Sequence, residues 1–300
     1  MGDKIPILLD TDIGSDIDDA VCLAYLLRQS RCDLLGITTA TGDTTQRASL
    51  AALICEAADK PTIPIHRGST GPLMNGPGQP NVPQYEAIRD KPHRSNFGPP
   101  SAVSFLQRTI RDRPNEITLL AIGPMTNLGL LFSMDPEIPS LLKELVLMCG
   151  VFTSGNGHGP GAREWNALVD PTATAMTYAA RPPRCTSIGL DVTTKCVLPA
   201  DECRERFHKA GGPLEIVADM AEVWFRGRHA ITFHDPLASA VIFEPDLCGY
   251  ADGEVTVHPS GHGISGLTAF NGRAEEKPHT IATTVDPAAF FAHYFDVVGG

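Results

Sequence analysis

Long apolar runs are missing from this chain, and only five apolar positions, Ile5 to Leu9, follow Asp3 and Lys4 at its start. The sequence therefore predicts neither a bilayer-crossing segment nor a signal peptide. Basic clusters are missing as well. Lys and Arg number 24 against 35 Asp and Glu, for a formal charge of −11. No four basic residues stand together, which argues against a nucleic-acid or anionic-membrane surface. The eight cysteines form no C-x-x-C pair and no finger-like spacing with histidine, and most lie in apolar runs such as Leu147-Met148-Cys149. Structural zinc is therefore not expected, and reduced, buried thiols in a cytoplasmic protein are.

What is present is 300 residues, 42% hydrophobic and 20% charged, the balance of a globular protein able to bury a sizeable core. Short apolar runs fit buried strands at Ile5 to Leu9, Leu34 to Thr38, Thr62 to Ile65, Ile117 to Ile122, Leu145 to Cys149 and Ser187 to Leu190. Helical segments stand between them: Asp18 to Leu27, Thr45 to Ala58, Ser101 to Arg111 behind a serine cap, and Thr172 to Ala180 after Asp170-Pro171. Alternation of this kind predicts an α/β fold, a doubly wound, mainly parallel open sheet flanked by helices. Two segments break the rhythm. Residues 68–100 hold seven prolines with no periodicity, and residues 152–163 carry Gly155, Gly157, Gly159 and Gly161. Both read as long loops near a site, and neither resembles an interdomain linker, so residues 1–300 are expected to form one domain.

The chemistry concentrates at Asp10-Thr11-Asp12-Ile13-Gly14-Ser15-Asp16-Ile17-Asp18-Asp19, where five carboxylates fall in ten residues between a buried strand and an apolar helix. Asp is common in turns and helix caps, and one or two would need no other explanation. Five at one junction repel one another unless a cation is present. The positions 10 and 12 share one side of an extended chain at the end of the first strand, where open α/β sheets bind ligands. An all-oxygen donor set suits Ca²⁺ or Mg²⁺. An EF-hand does not fit, since Val21 stands where its closing Glu would be.

Asp10-Thr11-Asp12-Ile13-Gly14, closing with Asp18-Asp19-Ala20, resembles the N-terminal signature of the inosine-uridine preferring nucleoside hydrolases. Three further stretches agree with that family: Gly123-Pro124-Met125-Thr126-Asn127, then Glu164-Trp165-Asn166 with Asp170-Pro171, and finally Phe233-His234-Asp235-Pro236. The resemblance implies the nucleoside hydrolase fold and a Ca²⁺-dependent N-ribohydrolase, which splits a ribonucleoside into free base and ribose. By the same resemblance Asp12, Asp19, Asp235 and the backbone carbonyl of Ile122 hold the metal. Asp12 takes the proton of a metal-activated water, and His234, whose ordinary pKa lies near neutrality, is the acid for the departing base. Asp18, Glu164 and Asn166 are expected to grip ribose hydroxyls and Asn156 the 5′-hydroxyl, and Trp165, between two of these, is a candidate for the base.

Departures from the family pattern bear on specificity. Ile13 replaces a common proline, two residues are added before Asp18, and Asp43 stands where relatives place an asparagine that touches ribose. Tyr85 to Pro100 lacks the expected H-G-x-x-G pattern, which leaves the preferred base open. Trp224, Phe225 and Tyr85 are also candidates by position to stack on the base, but most aromatics are core and these three are left out of the site. The resemblance further implies a homodimer or homotetramer. Two other readings compete: a Ca²⁺-dependent nucleoside- or sugar-binding protein without turnover, and a haloacid-dehalogenase-like phosphatase built on Asp10-x-Asp12. The second lacks a G-T ending after Asp12 and has no role for His234.

Overall fold

A computed structural model describes residues 4–153 and 162–300. The chain runs β1 (Ile5–Thr11), α1 (Asp18–Arg28), β2 (Cys32–Thr39), α2 (Thr44–Ala57), β3 (Ile65–Arg67), α3 (Ala102–Asp112), β4 (Thr118–Ala121), α4 (Thr126–Met134), α5 (Ile138–Leu141), β5 (Glu144–Leu147), α6 (Trp165–Val169), α7 (Pro171–Ala179) and β6 (Cys185–Ser187). It continues with α8 (Leu190–Thr193), β7 (Val197–Pro199), α9 (Ala200–Ala210), α10 (Pro213–Phe225), β8 (Ala230–Thr232), α11 (His234–Ala240), β9 (Cys248–Val257), β10 (Thr268–Asn271), β11 (His279–Val285) and α12 (Pro287–Gly299). The main sheet has the order β10-β9-β11-β6-β5-β4-β1-β2-β3, and β7 and β8 form a separate two-stranded sheet. Every pairing from β3 to β11 is parallel, and β9 joins antiparallel to β11 and β10. The α/β expectation is met.

Alternation along β1 shows how the layers form. Ile7 and Leu9 belong to the buried cluster that includes α1, α2, α10 and α12, whereas Leu8 belongs to a second cluster with α3 and α4 on the other face. Both faces are covered, so β1 is apolar at successive positions as a central parallel strand should be. The chain passes from β1 outward through β2 and β3, then returns to place β4 on the opposite side of β1. That reversal opens a crevice at the C-terminal ends of β1 and β4, the place where such sheets bind ligands.

Some boundaries move. Ser187 ends β6, and Gly189 with Leu190 begins the short α8, so the apolar run to Leu190 is strand at one end and helix at the other. The strand expected over Thr62 to Ile65 starts at Ile65. Ser101 precedes α3 without capping it through its side chain, because the hydroxyl bonds His66 Nδ1 at 2.8 Å. Residues 68–100 are irregular apart from a 3₁₀ turn at Pro83–Ala87. No helix among the described residues is long and apolar enough to cross a membrane.

Candidate active site

Asp10 is the last buried carboxylate along β1 before the crevice, and the pleat sends it to the α4 face. There Asn127 Nδ2 donates to its Oδ1 at 2.7 Å and Thr38 Oγ1 donates to the same oxygen. Its other oxygen, Oδ2, is buried without a hydrogen-bond partner among the described residues, and burial pushes the carboxyl up to about 7. Asp10 therefore ties strands and helix together beneath the crevice. Asn127 completes the tie by donating to the Thr39 carbonyl at 3.2 Å and accepting from the Ser69 amide at 3.0 Å.

Past β1 the remaining aspartates converge. Asp12, Asp16, Asp18, Asp19 and Asp235 all line one cavity of about 390 Å³, together with Ile122, Glu164, Trp165, Asn166 and His234. Asp18 and Asp19 open α1, and Asp235 stands in the first turn of α11. The two helix starts meet where the Asp235 amide donates to Asp18 Oδ2 at 3.1 Å. One carboxylate oxygen from each of Asp18, Asp19 and Asp235 lies within 4.8 Å of the others, and all three residues are at most 3% exposed. Gly123 lets β4 close on this cluster, since a Cβ there would stand 2.7 Å from the Asp12 amide nitrogen.

Burial pushes the carboxyls of Asp12, Asp18, Asp19 and Asp235 upward. Like charge adds to it: Asp16 and then Asp19 act on Asp18, Asp12 acts on Asp19, and Asp18 acts on Asp235. Asp16 is pushed up to about 6, mainly by burial. Two carboxylates at such separations repel by roughly 3–4 kcal/mol at an effective dielectric of 20. A helix N-terminus returns only about 0.3–1 kcal/mol. The cluster therefore requires bound protons or a cation, and its all-oxygen donors match a hard divalent ion.

The other wall is built from β5, α6 and α8. Glu164 caps α6, with Oε1 accepting from the Asn166 amide at 2.6 Å and Oε2 from the amides of Gly150 and Ala167 at 3.1 and 3.0 Å. Both of its oxygens thus serve the backbone. Asn166 donates through Nδ2 to the carbonyls of Ile122 and Met148 at 2.7 and 3.0 Å, leaving its amide oxygen as the remaining polar atom. His234 is held through Nδ1 by Thr193 Oγ1 of α8 at 2.6 Å, which fixes the ring beside the carboxylates. Trp165 lies on the rim, 47% exposed.

Of the residues singled out in the sequence, Asp12, Asp18, Asp19, Ile122, Glu164, Trp165, Asn166, His234 and Asp235 come together around this cavity. Asp43 does not. Its Oδ1 caps α2, accepting from the amides of Thr45 and Gln46 at 3.0 Å each, and the side chain is directed to that helix end. Asn156 lies outside the described residues. Sequence reasoning missed Ser15, Gln79, Met148, Arg163, Leu190 and Arg228, which also line the cavity. Trp224, a candidate for the base by position alone, packs against the core and also reaches the cavity, with Nε1 donating to the Ala230 carbonyl at 3.0 Å and the Arg228 guanidinium 5.1 Å from its centroid. Asp191 was missed too. It is fully buried and accepts from the Phe152 and Thr153 amides at 2.9 and 2.7 Å, anchoring the start of the glycine-rich segment.

The segments that carry the resemblance are also bolts of the scaffold. Thr126 Oγ1 and the Leu73 amide both donate to Asp170 Oδ2, at 2.7 and 2.9 Å, while Asp170 Oδ1 caps α7. Comparison with known proteins agrees with this architecture. Uridine nucleosidase 1 of Arabidopsis thaliana is 30% identical over 95% of this chain and 90% of its own. The pyrimidine-specific ribonucleoside hydrolase RihA of Klebsiella pneumoniae is 29% identical over 88% of each chain. Among solved structures, a plant nucleoside hydrolase superposes with a TM-score of 0.85 at 22% identity, covering 99% of both chains. The purine-preferring ribonucleoside hydrolase of Gardnerella vaginalis gives 0.83 at 24%, covering 98% of both, and these two likenesses establish the fold. The sequence profile described as inosine-uridine preferring nucleoside hydrolase matches residues 7–292, and the chain belongs to that family of enzymes, which cleave the N-glycosidic bond of ribonucleosides.

Proposed function

We propose that the protein is a calcium-dependent N-ribohydrolase in which Asp12 is the base and His234 the acid for the departing base. The observation that supports this most is the meeting, in one cavity, of a buried three-carboxylate cluster with a histidine oriented by Thr193. The donor set fits a hard cation. Asp19 and Asp235 of that cluster, with Asp12 and the Ile122 carbonyl from the same cavity, would hold it, while Asp18, the third member of the cluster, has its Oδ2 engaged by the Asp235 amide and is left for the sugar. The Ile122 carbonyl keeps a second lone pair beside its bond from Asn166. Calcium, when bound, supplies positive charge that acidifies water and draws in ribose hydroxyls.

The protein's own groups do the rest. Asp12 accepts the proton of the attacking water. Asp18 and the amide oxygen of Asn166 hold the sugar hydroxyls, so that the ribose is fixed as positive charge develops on it. Glu164 acts through the backbone, holding Gly150 and Asn166 in place. His234 delivers a proton to the leaving base through the ring nitrogen that Thr193 does not hold, which removes the need to expel a free anion. Relatives named for uridine and pyrimidine ribonucleosides make uridine the first substrate to try.

Ribose release, read as reducing sugar, from uridine, cytidine, inosine, guanosine and adenosine with and without a calcium chelator tests the reading. Release that disappears on chelation is expected. Absence of release from all five while calcium stays bound would overturn hydrolysis of these nucleosides in favour of a binder or a hydrolase of another riboside.

A further inference from the structure

Arg47, on α2, is fully buried, an uncommon state for a guanidinium, because an ion removed from water costs several kcal/mol unless its donors and charge are answered. Among the described residues its hydrogen bonds do not go to carboxylates. Nε donates to the Thr41 carbonyl at 2.8 Å. Nη1 donates to the Asp12 carbonyl, to the Ile13 carbonyl at 2.9 Å and to Ser15 Oγ at 2.9 Å. Nη2 donates to the Gln79 carbonyl at 2.9 Å and more weakly to that of Asn81 at 3.5 Å. The charge is answered through space by Asp12, Asp19 and Asp43.

Those acceptors belong to three segments far apart in sequence: the acidic turn after β1, the turn between β2 and α2, and the proline-rich segment. The last two touch so closely that a Cβ on Gly42 would stand 2.4 Å from the Gln79 carbonyl oxygen, and Gly42 has φ +63°. Ser15 Oγ also donates to the Asn81 carbonyl at 3.2 Å, and Gln84 Nε2 to the Ser15 carbonyl at 3.2 Å. Asp12, Ser15 and Gln79 all line the cavity. One planar fork thus fixes the backbone behind two different parts of its wall.

We propose that Arg47 is a positioning residue that couples the acidic turn to the proline-rich segment, so that Asp12 and Gln79 keep one spacing across the cavity. A simple staple would contribute stability alone. A positioning residue also sets metal affinity and substrate affinity. Lysine keeps the charge but has a single ammonium, which cannot span carbonyls on three segments as the fork does, so charge and geometry are separable. The coupling itself is independent of the proposed reaction; only its effect on KM rests on that reading.

The test compares the wild type with Arg47→Lys and Arg47→Met. In the metal-free wild type, amides of residues 12–17 and 77–84 should exchange hydrogen with a common opening rate. Arg47→Lys should speed both segments while leaving α3 and α12 unchanged. Titrated with Ca²⁺ alone, both variants should bind about 10- to 100-fold more weakly than the wild type, the range seen when groups orienting a metal ligand are removed. Gln79→Ala should raise KM without changing Ca²⁺ affinity, whereas Arg47→Lys changes both. Independent exchange of the two segments in the wild type would overturn the proposal, as would wild-type Ca²⁺ affinity in Arg47→Lys. If Arg47→Met does not fold, the wild-type exchange and the lysine variant still decide. If no nucleoside is hydrolysed, exchange and Ca²⁺ affinity judge Arg47 separately from the proposed reaction.

Discussion

At the corner between α3 and α4, Asp135 accepts from Arg111 at 2.6 and 2.7 Å and from Gln107 at 2.7 Å, and those donors hold its carboxyl down at about 2. At the end of β1, by contrast, four aspartates of the acidic turn and Asp235 crowd one cavity, and the guanidinium beside them spends its donors on carbonyls and a serine hydroxyl. Their carboxyls are pushed up instead. The first arrangement stabilises the fold by itself. The second is costly by itself and becomes favourable when something positive binds, which is how a structural carboxylate differs from one kept for function.

The sharpest way to break that contrast is to remove a carboxylate that is expected to act. Asp12→Ala should lower kcat/KM for a hydrolysed nucleoside about 10³-fold or more and weaken Ca²⁺ binding, as steady-state kinetics and calorimetry would report. His234→Ala should lower kcat about 10²- to 10³-fold while Ca²⁺ affinity stays at the wild-type value. Equal loss of metal in the two variants would contradict the division of labour.

Stability gives the next contrast, with opposite signs in the two regions. In metal-free protein at pH 7, Asp18→Asn removes a buried like charge and should raise stability by about 1–3 kcal/mol, whereas with Ca²⁺ present the gain should shrink or reverse. The pH dependence follows the same logic. Asp10 and Asp16, at about 7 and about 6, keep in the folded state protons that the unfolded chain has released above about pH 4. Unfolding then releases protons, so metal-free stability should fall as pH rises from about 4 to 7. Asp135 runs the other way: its contribution is present above about pH 4 and is lost as pH falls toward 2. Asp135→Asn should lower the melting temperature at neutral pH and flatten the acid side of its pH profile.

The smallest effect is expected at Asp43. Asp43→Ala should cost about 1 kcal/mol through loss of the α2 cap and leave KM unchanged, with Asp43→Asn close to wild type. A KM raised severalfold in a folded Asp43→Ala protein would bring that carboxylate back to the substrate.

The elements legible in the sequence were those whose physics is local. β1, β2, β4 and β5 appear as apolar runs because both faces of a central parallel strand are buried. The antiparallel strands β9 to β11 escaped notice, since Cys248–Val257 mixes Asp, Glu and Gly with apolar residues and is buried only at alternate or irregular positions. The acidic turn, Asn166 and His234 were legible as motif residues. Their division into contacts with the cavity and contacts with the scaffold was not, because only in three dimensions do both Glu164 oxygens and Asp43 Oδ1 prove to accept from backbone amides. Arg47 was invisible for a similar reason. A single basic residue in a helical segment reads as a solvated face, and only the convergence of three distant segments reveals it as fully buried.

The most direct test is one titration: Ca²⁺ added back to chelated protein, with melting temperature and ribose release from uridine followed on the same samples. Both should rise together and saturate at one equivalent, since the ion that offsets the carboxylate repulsion is the ion the reaction uses. Full turnover in the chelated protein, or a rise in melting temperature with no release of ribose from any nucleoside, would contradict the proposed function.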